Sequence, residues 1–228
     1  MSLRVILFDA GNTLLFLDYD RLARAVGQGT GLPLTGAMLS VQAKPAALAL
    51  ERADTTDRAR ATVYLETLFV LAGVPLARLP EVRDTLLRLH GEMHLWSAHD
   101  SRTHGALARL REAGFRLGVV SNSDGRADEA LVAAGLRDNF ELVVDSQLVG
   151  YEKPDPRIFL LALDQMGVRP DEALYVGDIY EVDVVGARRA GMDVVLLDPL
   201  GNHEGRDVTT VRSIAELADR LLAQPRGS

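Results

Sequence analysis

A chain of 228 residues, 47% apolar and 25% charged, is long enough for one large α/β domain or for a core domain with an insert. Its formal charge of −7 argues against general nucleic-acid binding through phosphate neutralisation, yet suits a small anionic substrate wherever a metal ion or a lysine reverses the field locally. With no cysteine and no apolar run near the roughly 20 residues of a membrane span, disulfides and a membrane partner are excluded too, and the expectation is a cytoplasmic enzyme.

The first apolar run, Arg4-Val5-Ile6-Leu7-Phe8, predicts a buried parallel strand that exits at Asp9 into the turn Ala10-Gly11-Asn12-Thr13-Leu14. The segment that follows, up to residue 96, has no strand-like run. Its patterns predict helices over Tyr19–Gly27, Leu39–Leu50, Asp57–Leu71 and Pro80–His94, with breaks at Gly31-Leu32-Pro33 and Gly73-Val74-Pro75. From residue 102 onward helices and strands alternate. Helices are expected over Thr103–Ala113, Arg126–Ala134, Pro156–Met166, Asp183–Ala190 and Ser213–Ala223; strands over Phe115–Val120, Phe140–Val144, Ala173–Val176 and Val194–Leu197. Such alternation implies right-handed crossovers and a doubly wound, mostly parallel Rossmann-like sheet. The helices between the first strand and the rest read as an all-helical insert resembling a lid.

Four junctions between these elements carry chemistry. Asp9 leaves the first strand, with Thr13 in the turn after it. Ser121 and Asn122 follow the strand ending at Val120. Lys153, one of only two lysines with Lys44, precedes Pro154-Asp155-Pro156 at a helix start. Gly177-Asp178 follows the strand ending at Val176, and Asp183 lies five residues beyond. The carboxyl ends of strands in such a sheet converge on one crevice, so distant segments can share a site. There Asp9 could attack an electrophile directly. Asp9 and Asp178, with a backbone carbonyl, offer the hard oxygens that Mg²⁺ prefers. Lys153 adds fixed positive charge, and Ser121 and Asn122 add donors for developing negative charge. Plainer roles exist for each: helix caps for Asp9, Ser121 and Asp183, a solvated loop charge for Lys153, a turn for Asp178. Their occurrence together, in order and each at a strand exit or helix start, favours the site.

These segments resemble the haloacid dehalogenase (HAD) superfamily of hydrolases over essentially the whole chain. Phe8 to Leu14 matches its first motif, Val119-Val120-Ser121-Asn122 the second, Gly150-Tyr151-Glu152-Lys153-Pro154 the third, and Val176-Gly177-Asp178 through Asp183 the fourth. The resemblance implies Asp9 as nucleophile and Ser121 and Lys153 as binders of the transferred group, with Thr13 and Asn122 beside them. It implies Mg²⁺ held by Asp9, Asp178 and the Gly11 carbonyl, with Asp183 supporting the metal or Lys153. It further implies a core over residues 1–15 and 97–228, a helical cap over 16–96, and a small phosphorylated substrate.

Gly11 departs from that pattern. Phosphatases of this family carry there a second aspartate, the general acid and base, whose help is typically worth about 10²–10⁴-fold. Several readings stay open. A Mg²⁺-dependent phosphohydrolase could act on good leaving groups or borrow an acid, such as Asp18 or Asp20. A 2-haloacid dehalogenase needs none, because halide leaves unprotonated; Arg21 or Arg24 would then meet the substrate carboxylate. In a phosphonatase type, Lys44 would form a Schiff base. A binding protein could retain the fold without turnover.

Overall fold

The computed structural model describes residues 3–51 and 57–223. Its sheet is built from β1 (Val5–Phe8), β2 (Arg116–Ser121), β3 (Leu142–Asp145), β4 (Ala173–Gly177), β5 (Asp193–Leu197) and β6 (Thr209–Val211). Every residue of β1 is fully buried, as an unbroken apolar run must be when helices cover both faces of a parallel sheet. Val5, Leu7 and Tyr175 pack beneath the helices Pro156–Met166 and Val185–Arg189, while Ile6 and Phe8 alternate to the other face.

The strand order is β3-β2-β1-β4-β5-β6, and every neighbouring pair is parallel. The chain winds from β1 out to β3, then crosses over to lay down β4, β5 and β6. The winding direction reverses between β1 and β4, the place where open α/β sheets bind ligands outside their carboxyl ends. Phe8 lies opposite both Val119 and Val176. Asp9, Ser121 and Asp178 therefore leave the sheet within one or two residues of a common level.

The chain forms two compact units, one ending at Phe16 and resuming at Ala98, the other spanning Leu17–Ser97. The second unit is helical: Tyr19–Thr30, Gly36–Ser40, Ala43–Glu51, Asp57–Leu71 and Leu79–Glu92. Leu22, Val26, Leu68, Phe69, Val82 and Leu86 make its apolar core. No helix among the described residues is long and apolar enough to cross a membrane.

The structure departs from the sequence reading in several places. The helix expected over 39–50 is two, separated at Val41-Gln42, and the first starts early, at Gly36, where Thr35 caps it by accepting from the Met38 amide. Short strands Phe16–Leu17 and Trp96–Ala98 occur where no strand was expected. β6 escaped notice because only Val211 of its three residues is buried, too little to leave a period. The helix expected from Asp183 begins instead as a wide π turn, Tyr180–Val184, in which Asp183 folds back onto the amides of Asp178 and Ile179.

Candidate active site

Lys153 is 2% exposed, and its ammonium reaches Asp9 Oδ1 at 2.7 Å, Asp183 Oδ1 at 2.8 Å and the Tyr175 hydroxyl at 3.0 Å. An ammonium has three N–H donors, so this set saturates it. Tyr175 in turn donates to the Val120 carbonyl at 2.9 Å, linking β4 to the end of β2 across β1. The Lys153 backbone is held as firmly. Its amide donates to Asn122 Oδ1 at 2.7 Å, and Asn122 Nδ2 donates to its carbonyl at 3.0 Å. Local sequence delivers the lysine there: Gly150, left-handed at φ 77°, closes the short helix Ser146–Val149, and Asp155 caps Pro156–Met166 by accepting from the Arg157 amide.

Asp183 is fully buried and fully engaged. Its Oδ2 accepts from the amides of Asp178 at 3.0 Å and Ile179 at 2.9 Å, while Oδ1 faces Lys153. Gly177 makes this approach possible, since a Cβ there would lie 2.3 Å from Asp183 Cγ. Asp178 stands otherwise. Its Oδ1 is buried with no hydrogen-bond partner, and so is Thr13 Oγ1. Carboxylate oxygens of Asp9, Asp178 and Asp183 lie within 4.8 Å of one another.

Three carboxyls around one ammonium leave an excess of negative charge in a buried place. Burial, with Asp183 adding repulsion and Lys153 opposing both, pushes the Asp9 carboxyl up to about 6. Burial and the charges of Asp183 and Asp9 drive Asp178 well above the carboxylate range. Burial works against the Lys153 ammonium, but the joint pull of Asp183 and Asp9 outweighs it and holds the group protonated. All three shifts are upward, as an excess of buried negative charge requires, and an added cation would relieve that excess.

The remaining expected residues fall into place around this core. Ser121 is 3% exposed and ends β2. Asn122 meets the Lys153 backbone through both amide atoms, which makes it a positioning residue. Gly11 sits in the turn after Asp9, where Leu14 and Leu15 donate to the Ala10 carbonyl and Asn12 takes φ 53°.

Residues tied to the other readings have local duties. The Arg21 guanidinium donates to the carbonyls of Leu89 at 2.7 Å, Met93 at 2.8 Å and His94 at 2.9 Å, closing the end of the helix Leu79–Glu92. Asp18 caps Tyr19–Thr30 by accepting from the Arg21 amide at 3.0 Å. Lys44 is exposed, which withholds the desolvation that activates a Schiff-base lysine. The sequence reading missed Tyr175, a polar tip inside an otherwise apolar buried strand, and Asp145 and Asp198. The rule that picked out Asp9, a carboxylate at a strand exit, would have found the two aspartates.

The family model for haloacid dehalogenase-like hydrolases matches residues 3–191. The chain belongs to that family. It is a hydrolase of the HAD fold. Glyceraldehyde 3-phosphate phosphatase of Methanothermobacter thermautotrophicus is 30% identical over 237 residues, covering 96% of this chain and 100% of the relative. Haloacid dehalogenase-like hydrolase domain-containing protein 3 of Mus musculus is 38% identical over 149 residues, 65% of this chain but only 59% of the mouse protein. The magnesium-bound HAD-hydrolase YfnB of Bacillus subtilis shares the fold, with a TM-score of 0.71 at 22% identity over 97% of this chain and 99% of that one.

Proposed function

We propose that this HAD hydrolase is a Mg²⁺-dependent phosphohydrolase for a small phosphorylated metabolite, with Asp9 as nucleophile. One observation carries the reading. Asp9 and Asp178 converge at the switch point with an excess of carboxylate charge, and Asp178 keeps a buried oxygen without a partner. The named activity of the Methanothermobacter relative, a phosphatase matched over 96% of this chain, supports the same class.

Asp9, Asp178 and the Gly11 carbonyl would hold Mg²⁺, which offsets the repulsion between carboxylate and phosphate and polarises the phosphoryl oxygens. Asp183 serves Lys153 and the Asp178 backbone, since both its oxygens are already engaged. Lys153 orients Asp9 and balances its charge in the buried site. The hydroxyls of Ser121 and Thr13 donate to the phosphoryl oxygens. Asp9 attacks phosphorus, the ester oxygen leaves, and water then cleaves the aspartyl phosphate. With Gly11 in place of an acid, the leaving oxygen departs without a proton from that position, which selects phosphates with good leaving groups. The helical unit would act as the cap that shields the site and chooses the substrate.

A screen of phosphate esters and 2-haloacids, each with Mg²⁺ and with a chelator, tests this. Hydrolysis of phosphates in Mg²⁺ alone is expected. Full activity in chelator, or turnover of 2-haloacids only, would replace this reading with the dehalogenase type, which the glycine at position 11 also suits.

A further inference from the structure

Beyond the four motif segments, a turn after β5 closes against Asp178. Asp198 follows β5 and is 7% exposed. Its amide donates to the Val211 carbonyl at 2.7 Å, which roots the turn between β5 and β6. Its carboxylate accepts from the Asn202 amide at 2.7 Å through Oδ1 and from the His203 amide at 2.9 Å through Oδ2. This clamp folds residues 199–203 back on themselves and buries the His203 side chain, 8% exposed, with Nε2 3.2 Å from the Asp178 carbonyl oxygen. A carbonyl only accepts, so Nε2 carries the proton and donates.

The consequence for Asp178 is specific. Its amide and that of Ile179 are bound by Asp183 Oδ2, and its carbonyl is bound by His203. The peptide that carries the side chain is therefore fixed on both sides, while the side-chain Oδ1 has no partner. On the surface the same two segments are joined again. Arg188 pairs with Asp207 at 3.1 Å, Arg206 pairs with Glu181 at 3.1 Å, and the Arg206 guanidinium lies 4.4 Å from the Tyr180 ring centroid. Exposed pairs of this kind contribute little by themselves. The register of the 198–203 turn therefore rests mainly on the buried Asp198 clamp.

We propose that His203, held by Asp198, is a positioning residue for Asp178 and sets the affinity of this site for its divalent cation. The inference rests on the metal-dependent reading given above. Partners that orient a metal ligand typically cost about 10–100-fold in metal affinity when removed.

Calorimetric titration of the whole chain with Mg²⁺ alone, without substrate, tests this. Wild type is compared with Asp178→Asn, His203→Ala, His203→Gln and Asp198→Asn. His203→Ala is expected to weaken binding about 10–100-fold, and His203→Gln, whose amide can still donate, to recover much of the loss. Asp198→Asn keeps the imidazole but loosens the turn, and an intermediate loss is expected; it carries the test if His203→Ala does not fold. Equal affinity of wild type and the His203 and Asp198 variants would overturn the positioning role. A wild type that binds no more tightly than Asp178→Asn would instead remove the metal-dependent reading, and this inference with it.

Discussion

At the centre of the sheet, Asp9 after β1 and Asp178 after β4 face each other's charge. On its flanks, Asp145 at the end of β3 and Asp198 after β5 occupy the same kind of junction and meet only backbone amides. Asp145 accepts from Gly125 and Ala127 at 3.1 Å and from Gln147 at 3.0 Å; Asp198 accepts from Asn202 and His203. The flanking pair builds turns, and in doing so frames the site: the Asp145 turn follows Asn122, and the Asp198 turn brings His203 to Asp178. Of the central pair, Asp9 meets the one lysine, and Asp178 keeps an oxygen bare. Residue type and junction are thus shared between turn-builders and the residues of the candidate site. The supply of amides around each carboxylate separates them.

The largest expected effect is at the centre. Asp9→Asn should lower turnover on the order of 10⁴-fold or more while near-ultraviolet circular dichroism stays native; an active variant would move the nucleophile elsewhere. Lys153→Met leaves Asp9 and Asp183 buried without their counter-charge. A loss of about 3–5 kcal/mol in urea unfolding is expected, and a loss under 1 kcal/mol would mean that the lysine is not their main partner. On the flank, Asp145→Ala should cost about 2 kcal/mol through lost caps, with Mg²⁺ affinity unchanged. A collapse of metal binding in that variant would erase the distinction between flank and centre. Gly11→Asp should raise the rate on poor leaving groups at least about tenfold, short of the roughly 10²–10⁴-fold that a well-placed general acid supplies. No gain in a variant that still binds Mg²⁺ would show that another group delivers the proton.

The smallest effect is in pH. Asp9, at about 6, and Asp178 bind protons more tightly in the folded chain than in the unfolded one. Mg²⁺ must displace those protons, so its affinity should fall as pH drops below about 6. In chelator the sign for stability follows from the same shift. Asp9 favours the fold below the unfolded value of 3.8, and that contribution is lost as pH rises through about 6. Asp9→Asn should flatten this part of the stability curve; an unchanged slope would assign it to Asp178 instead.

Much of the fold was legible because its strands are unbroken apolar runs and its helices end at glycines such as Gly114, Gly135 and Gly167. β6 and the π turn at Tyr180–Val184 were not, since one has a single buried residue and the other is shaped by a carboxylate reaching back to amides. In the site, Asp9, Ser121, Lys153, Asp178 and Asp183 could be named from their junctions. Tyr175 and His203 could not be given roles, because each acts on a segment distant in sequence; Asp145 and Asp198 stand at the same kind of junction as Asp9, and the junction alone does not tell a turn-builder from a site residue.

The sequence by itself determined the alternation of strands and helices, the inserted helical segment, and the order of the chemically active junctions, all of which follow from local periodicity and turn residues. Only the tertiary structure decided which carboxylates gather around one ammonium and which serve backbone amides alone. That choice depends on the amides and the single ammonium brought within 3 Å or so by the sheet's crossing from β3 to β4, a contact pattern that no local stretch of the chain encodes.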